Sequence, residues 1–154
     1  MEPDKIKLMR RACLLCDKSS CLYRVGCLAV KNGKVIAESY NQTIKGEKYC
    51  QSGICVRKEL GLSGGKDIDK VCTSHAEIGL IAYCAKEGIK LKGADIYCTT
   101  FPCYICSKAL VQAGIGRLYY MSNYATNDGQ RFFDASKIGV SQITEETVWK
   151  TSQS

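Results

Sequence analysis

From residue 75 onward, the 154-residue chain switches repeatedly between helical and strand-like hydrophobic patterns. "SHAEIGLIAYCAKEG" reads as a helix with Ile78, Ile81, Ala82 and Ala85 turned inward and Gly88 at its end. "ADIYCTT" alternates as a strand, and "CYICSKALVQAG" is a helix stopped by Gly114. "RLYYM" is a strand, "DGQRFFDASKIG" a helix and "VSQIT" a last strand. Helices between strands demand crossover connections, so the sheet must be at least partly parallel. Upstream, "VGCLAVKNGKVIAESY" reads as an antiparallel hairpin turned through Asn32-Gly33. Ahead of it, residues 5–20 read as a helix with Ile6, Met9, Cys13 and Cys16 on one face. The expectation is one α/β domain over residues 1–154 with a mixed sheet.

One segment escapes this scheme. Residues 41–72 are polar and Gly-rich with little periodicity, too long for an idle connection. They carry part of the chain's most unusual feature, its eleven cysteines. An odd number cannot pair completely. The N-terminus, "MEPDKIKLMRRACLLC", mixes charge into its apolar positions and does not read as a signal peptide. A reducing cytoplasmic setting is therefore expected, with metal ligation and buried thiols as the default uses of cysteine. Cys13, Cys16, Cys27, Cys84 and Cys98 fall on apolar faces and read as core. No apolar run approaches the roughly 18 residues of a membrane span. The net charge of +7 suits an anionic partner, but its lysines and arginines are scattered rather than gathered into a block.

Chemistry concentrates at two places. His75, the single histidine, opens the "SHAE" helix with Glu77 two residues on, and "FPCYIC" sets Cys103 and Cys106 at helical spacing behind Pro102. One imidazole and two thiolates are the three protein ligands of a catalytic zinc that keeps an open position. Both His75 and Cys103 would stand at helix N-termini, where the dipole favours thiolate. Taken singly, each residue has an ordinary reading. His75 could be any histidine, Glu77 could close a capping box from Ser74, and the cysteines could be core thiols. Together they outweigh those readings.

H-x-E followed by P-C-x-x-C is the signature of zinc-dependent nucleobase deaminases, and the chain resembles that superfamily over nearly its whole length. The resemblance implies the cytidine-deaminase-like fold, a three-layer α/β/α arrangement with a five-stranded mixed sheet. It implies zinc on His75, Cys103 and Cys106, with Glu77 as the proton shuttle of hydrolytic deamination. Free-nucleoside cytidine deaminases carry cysteine in place of His75, which points away from them. The chain is most similar to bacterial deoxycytidylate deaminases of the competence-associated type. That likeness implies conversion of dCMP to dUMP, with substrate contacts from Asn41 in "SYNQT", Ala76, and Tyr124 in "MSNYATN". It also implies a second, structural zinc in the insertion at about 41–72, for which Cys21, Cys50, Cys55 and Cys72 are the candidates. A homo-oligomer acting on a small-molecule nucleotide is expected, rather than one acting on nucleic acid. At Gly79 the chain departs from the asparagine usual in that branch. Two alternatives stay open: a tRNA adenosine deaminase, which shares "HAEI", and a zinc-bound binding module without catalysis.

Overall fold

In the computed structural model, which describes residues 3–47, 50, 54–64 and 66–150, the chain opens with helix α1 (Pro3–Cys16). It then forms the expected hairpin, β1 (Gly26–Lys31) and β2 (Lys34–Tyr40). Asn32 and Gly33 have φ of 51° and 73°, the left-handed pair that a tight two-residue turn requires. Next come β3 (Gln42–Thr43), the four-residue helix α2 (Val56–Glu59), a 3-10 turn at Ile68–Lys70 and β4 (Thr73–Ser74). The remainder alternates: α3 (Ala76–Glu87), β5 (Asp95–Thr100), α4 (Tyr104–Gln112), β6 (Arg117–Ser122), α5 (Gln130–Ala135), β7 (Gly139–Gln142) and α6 (Glu145–Lys150). Of the insertion, residues 48, 49, 51–53 and 65 lie outside the described residues, as do 1, 2 and 151–154.

Five strands form one sheet in the order β2-β1-β5-β6-β7. The hairpin and the β1–β5 pair are antiparallel, while β5–β6 and β6–β7 are parallel. Strand alternation divides the core into two layers. Cys27, Ala29, Ile96, Cys98 and Leu118 face α3, α4 and α5 and pack with Leu80, Leu110 and Phe133. Leu28, Val30, Tyr97 and Tyr119 face the other way, onto Met9, Ala12 and Leu15 of α1 and Val148 of α6. No helix among the described residues is long and apolar enough to cross a membrane.

Three expectations need correction. The first helix ends at Cys16 rather than running to residue 20, and its buried stripe is Ile6, Met9, Ala12 and Leu15. Cys13 and Cys16 are therefore half-buried at its flank, with Cys13 Sγ 3.7 Å from Met121 Sδ, while Cys27, Cys84 and Cys98 are buried as expected. On α3 the inward face is Ala76, Leu80 and Cys84. Ile78 and Ile81 are only partly buried, and Ala82 and Ala85 are exposed. Small residues let this helix approach the sheet closely. At Gly79 an added Cβ would lie 2.6 Å from Ser39 Oγ on β2, so this position is a close helix–strand contact.

The same sheet edge collects the ends that matter for function. β5 and β6 deliver residues 101–103 and 123–125 from their carboxyl ends. Because β1 is antiparallel to β5, its start and the end of β2 lie at this edge too. Ligands of open α/β sheets bind outside the carboxyl ends of such strands. The insertion is pinned there: Gln42 pairs with Ser74 and Thr43 with Thr73, so its two ends are zipped together immediately before His75.

Candidate active site

His75 is the N-cap of α3, and Cys103 is the N-cap of α4, its sulfur accepting from the Cys106 backbone N–H at 3.4 Å. Two helix N-termini are thereby aimed at one point. Cys103 Sγ and Cys106 Sγ lie 3.4 and 3.5 Å from His75 Nδ1. All three ligand atoms fall within 4.8 Å of one another, the one such group among the described residues. Ser74 belongs to β4 and does not cap α3, so the capping-box reading of Glu77 falls away. Glu77 is instead 4% exposed, in the first turn beside His75.

The electrostatics are those of a set waiting for a cation. The hydrogen bond from Cys106, helped by His75, brings the Cys103 thiol down to about 4. The same bond, with burial, pushes Cys106 up. His75 is raised, first by its hydrogen bond to Cys103. Such ligands bind metal deprotonated, so metal binding by this set releases protons. Burial pushes the Glu77 carboxyl up to about 7. The donor set fits zinc in ligand type and in number.

The centre sits at the floor of a cleft of about 430 Å³, lined in part by Asn41, Ala76, Thr100, Phe101 and Tyr124. All three residues expected to contact substrate therefore face one space. Asn41 has a structural duty as well: Oδ1 accepts from Val25 N at 2.8 Å and Nδ2 donates to the Tyr23 carbonyl at 2.6 Å. It is 5% exposed and fastens the 19–25 segment to the end of β2. Tyr124 is half-buried, and burial raises its phenol.

The other four cysteines are less tightly drawn together. Cys50 and Cys72 sulfurs approach to 3.4 Å, and Cys50 has a left-handed φ of 60°. Burial, then Cys72, and then the charges of Cys21 and Cys55 push the Cys50 thiol up to about 12. All four are half-buried, yet they do not converge as closely as the histidine-cysteine set. Sequence reasoning missed Tyr23, Arg24 and Arg57, which also line the cleft. A lone cation in an aperiodic segment carries no local pattern that could have singled it out.

Comparison with known proteins decides the family. Residues 2–122 match the model of the cytidine and deoxycytidylate deaminase zinc-binding region. The chain belongs to that family. It is 34% identical over 139 residues to ComE operon protein 2 of Bacillus subtilis, covering 88% of this chain and 68% of the relative. It is 36% identical over 117 residues to a deoxycytidylate deaminase of Schizosaccharomyces pombe, covering 75% of this chain but 36% of that longer protein. The dCMP deaminase of cyanophage S-TIM5, solved in complex with dCMP and dUMP, superposes with a TM-score of 0.75 at 28% identity, over 93% of this chain and 99% of that one. The protein is thus a deaminase, a hydrolase, on the five-stranded mixed sheet of that family.

Proposed function

We propose that the protein hydrolyses dCMP to dUMP and ammonia, with zinc held by His75, Cys103 and Cys106 and Glu77 as its proton shuttle. The carrying observation is the convergence of one imidazole and two cysteine sulfurs on a cleft floor beside a buried carboxyl. When bound, zinc would supply Lewis acidity, making water a competent nucleophile at neutral pH. The remaining tasks belong to the chain. Glu77 takes one proton of the attacking water and passes it to ring N3, then takes the second from the added hydroxyl and passes it to the amino group, which leaves as ammonia. Its burial keeps bulk water from competing for those transfers. Ala76, at the first turn of α3, offers backbone in the cleft wall where a bulkier side chain would fill it. Tyr124 offers a ring edge to the nucleotide, and Asn41 fixes the wall on which the sugar would rest.

The insertion at about 41–72 would carry a second, structural zinc on Cys21, Cys50, Cys55 and Cys72. The close Cys50–Cys72 pair supports this reading, as does the shortness of every other element in the segment. A homo-oligomer fits the exposed Tyr104 and Ile105 on α4, next to the site, and gel filtration would size it.

Substrate choice is tested by ammonia release from dCMP, deoxycytidine, CMP and a tRNA anticodon stem-loop, run side by side at several salt concentrations. Turnover of dCMP with shallow salt dependence is expected, because a mononucleotide presents one phosphate. Salt-steep turnover of RNA without turnover of dCMP would transfer the protein to the tRNA branch.

A further inference from the structure

Among the described residues that line the cleft, Arg24, Arg57, His75 and Glu77 carry the basic and carboxylate side chains. The last two belong to the centre; the two arginines have no part in it. Arg57 comes from α2, inside the insertion. Its Nη1 donates to the carbonyl oxygens of Ser63 and Lys66, at 2.8 and 3.2 Å. Its guanidinium carbon stands 5.6 Å from the centroid of the Tyr23 ring. Gly64 of the same loop presses on that ring, since a Cβ there would come within 3.0 Å of Tyr23 Oη.

Every one of these partners is neutral. Carbonyls and a ring fix the plane of the guanidinium without cancelling its charge, and among the described residues no carboxylate pairs with it. Guanidinium has five N–H donors, and beyond those anchored at Nη1 the described residues offer no partner to Nε or Nη2. That edge matches two oxygens of a phosphate. Arg11 shows the contrast, being held by the Glu38 carboxylate on the outer surface. Arg24 lies between the two cases: Asp17 is 3.9 Å away, but both are exposed, a pairing that solvent weakens.

We propose that Arg57, seconded by Arg24, seats the phosphate monoester of a mononucleotide, so that the insertion decides between nucleotide and nucleoside. This rests on the reading of the cleft as a nucleotide site and assigns one end of it. It also gives the insertion a direct task beyond holding metal. Its loop orients a cation toward a space whose floor belongs to the core.

The test measures binding, which needs no turnover. The zinc-loaded full chain is titrated with dUMP, deoxyuridine, inorganic phosphate and a short uracil-containing single-stranded DNA whose uridine phosphates are diesters. Arg57→Gln retains a donor for the carbonyls and removes the charge; Arg57→Lys retains the charge and loses the fork. Wild type should bind dUMP far more tightly than deoxyuridine. Arg57→Gln should lose about 10- to 100-fold for dUMP, as expected for a charge-assisted contact, with deoxyuridine unchanged. Inorganic phosphate should weaken in parallel, Arg57→Lys should recover part of the loss, and Arg24→Gln should lose less than Arg57→Gln. Equal losses for dUMP and deoxyuridine would make Arg57 merely a brace of the loop and overturn the proposal. So would unchanged dUMP affinity, or diester DNA bound as tightly as dUMP. A wild type that binds dUMP through Arg57 yet deaminates no cytosine nucleotide would fell the proposed reaction and leave the phosphate seat standing.

Discussion

The proposed ligands of the catalytic centre stand at the starts of two helices whose other faces are buried, Leu80 and Cys84 of α3 and Leu110 of α4. The insertion's cysteines stand on weaker supports: a left-handed turn at Cys50, the end of a four-residue helix at Cys55, and the strand entry at Cys72. The first set has all its ligand atoms within 4.8 Å of one another; in the second, one pair reaches 3.4 Å. Core packing supports the first arrangement through the buried faces of both helices. The second has few buried apolar contacts to fix it, Val56 being the buried residue of its short helix. Metal binding there would be folding free energy in its own right. On the proposed reading, the same residue type serves two designs, one supported by packing and one to be organised by its metal.

The largest effect should come from the preorganised set. Glu77→Gln keeps the shape and removes the shuttle, so turnover should fall by about 10²- to 10⁴-fold with zinc content unchanged. His75→Ala should lose catalytic zinc and activity together while the fold persists, since α3 is held by Leu80 and Cys84 rather than by metal. Near-normal deamination by the Glu77 variant would break the mechanism. Global unfolding of His75→Ala, seen by circular dichroism, would erase the difference between the two regions.

Metal stoichiometry probes the other side. The protein purified without chelator should carry about two zinc ions per chain, one in an open site and one in a closed four-ligand site. Cys50→Ser or Cys55→Ser should lower this to about one and open the 41–72 segment to protease, with the catalytic zinc retained. A wild-type value of one would remove the second site and leave the insertion's cysteines without that role.

Asn41 joins the two regions, as it fastens the Cys21-bearing segment to the sheet. Asn41→Ala removes the partners of the Val25 N–H and the Tyr23 carbonyl, both part-buried, so the cost should stay at or below about 1–3 kcal/mol, the range for a fully buried group left unpaired. Activity on dCMP should drop strongly, and the thermal midpoint should drop with it. Activity lost at full stability would mean that the amide acts on substrate alone.

How much of this was legible follows from what each signal is made of. The hairpin, α3, α4 and the alternation after them are local patterns, a turn dipeptide or a run with a period, and sequence displays those directly. His75, Glu77, Cys103 and Cys106 could be singled out because one histidine leaves no rival and the H-x-E and P-C-x-x-C spacings are fixed. The two-residue strands β3 and β4 and the six-residue α6 were not legible, being shorter than any period can establish. The inward face of α3 was misjudged because alanine and cysteine, not isoleucine, make its closest contacts. Arg57 was invisible, since its place depends on how an aperiodic loop closes over Tyr23.

The smallest expected effect lies at Gly79 and measures how tightly the preorganised region is packed. Gly79→Ala should gain about 1 kcal/mol from helix propensity at a mid-helix position. Against this, its Cβ would lie 2.6 Å from Ser39 Oγ, and Ser39 is buried on β2. A hydroxyl can swing aside, at roughly 0.5–1.5 kcal/mol if it leaves its rotamer well. The two terms nearly cancel, so the single variant should unfold in denaturant within about 1 kcal/mol of wild type. In a Ser39→Ala background the obstruction is gone and the propensity gain should emerge, giving a coupling of about 1 kcal/mol between the positions. Zero coupling would mean that α3 shifts on the sheet to make room. A helix free to shift would carry His75 with it, and the catalytic ligands would then depend on metal for their geometry much as the insertion's cysteines do.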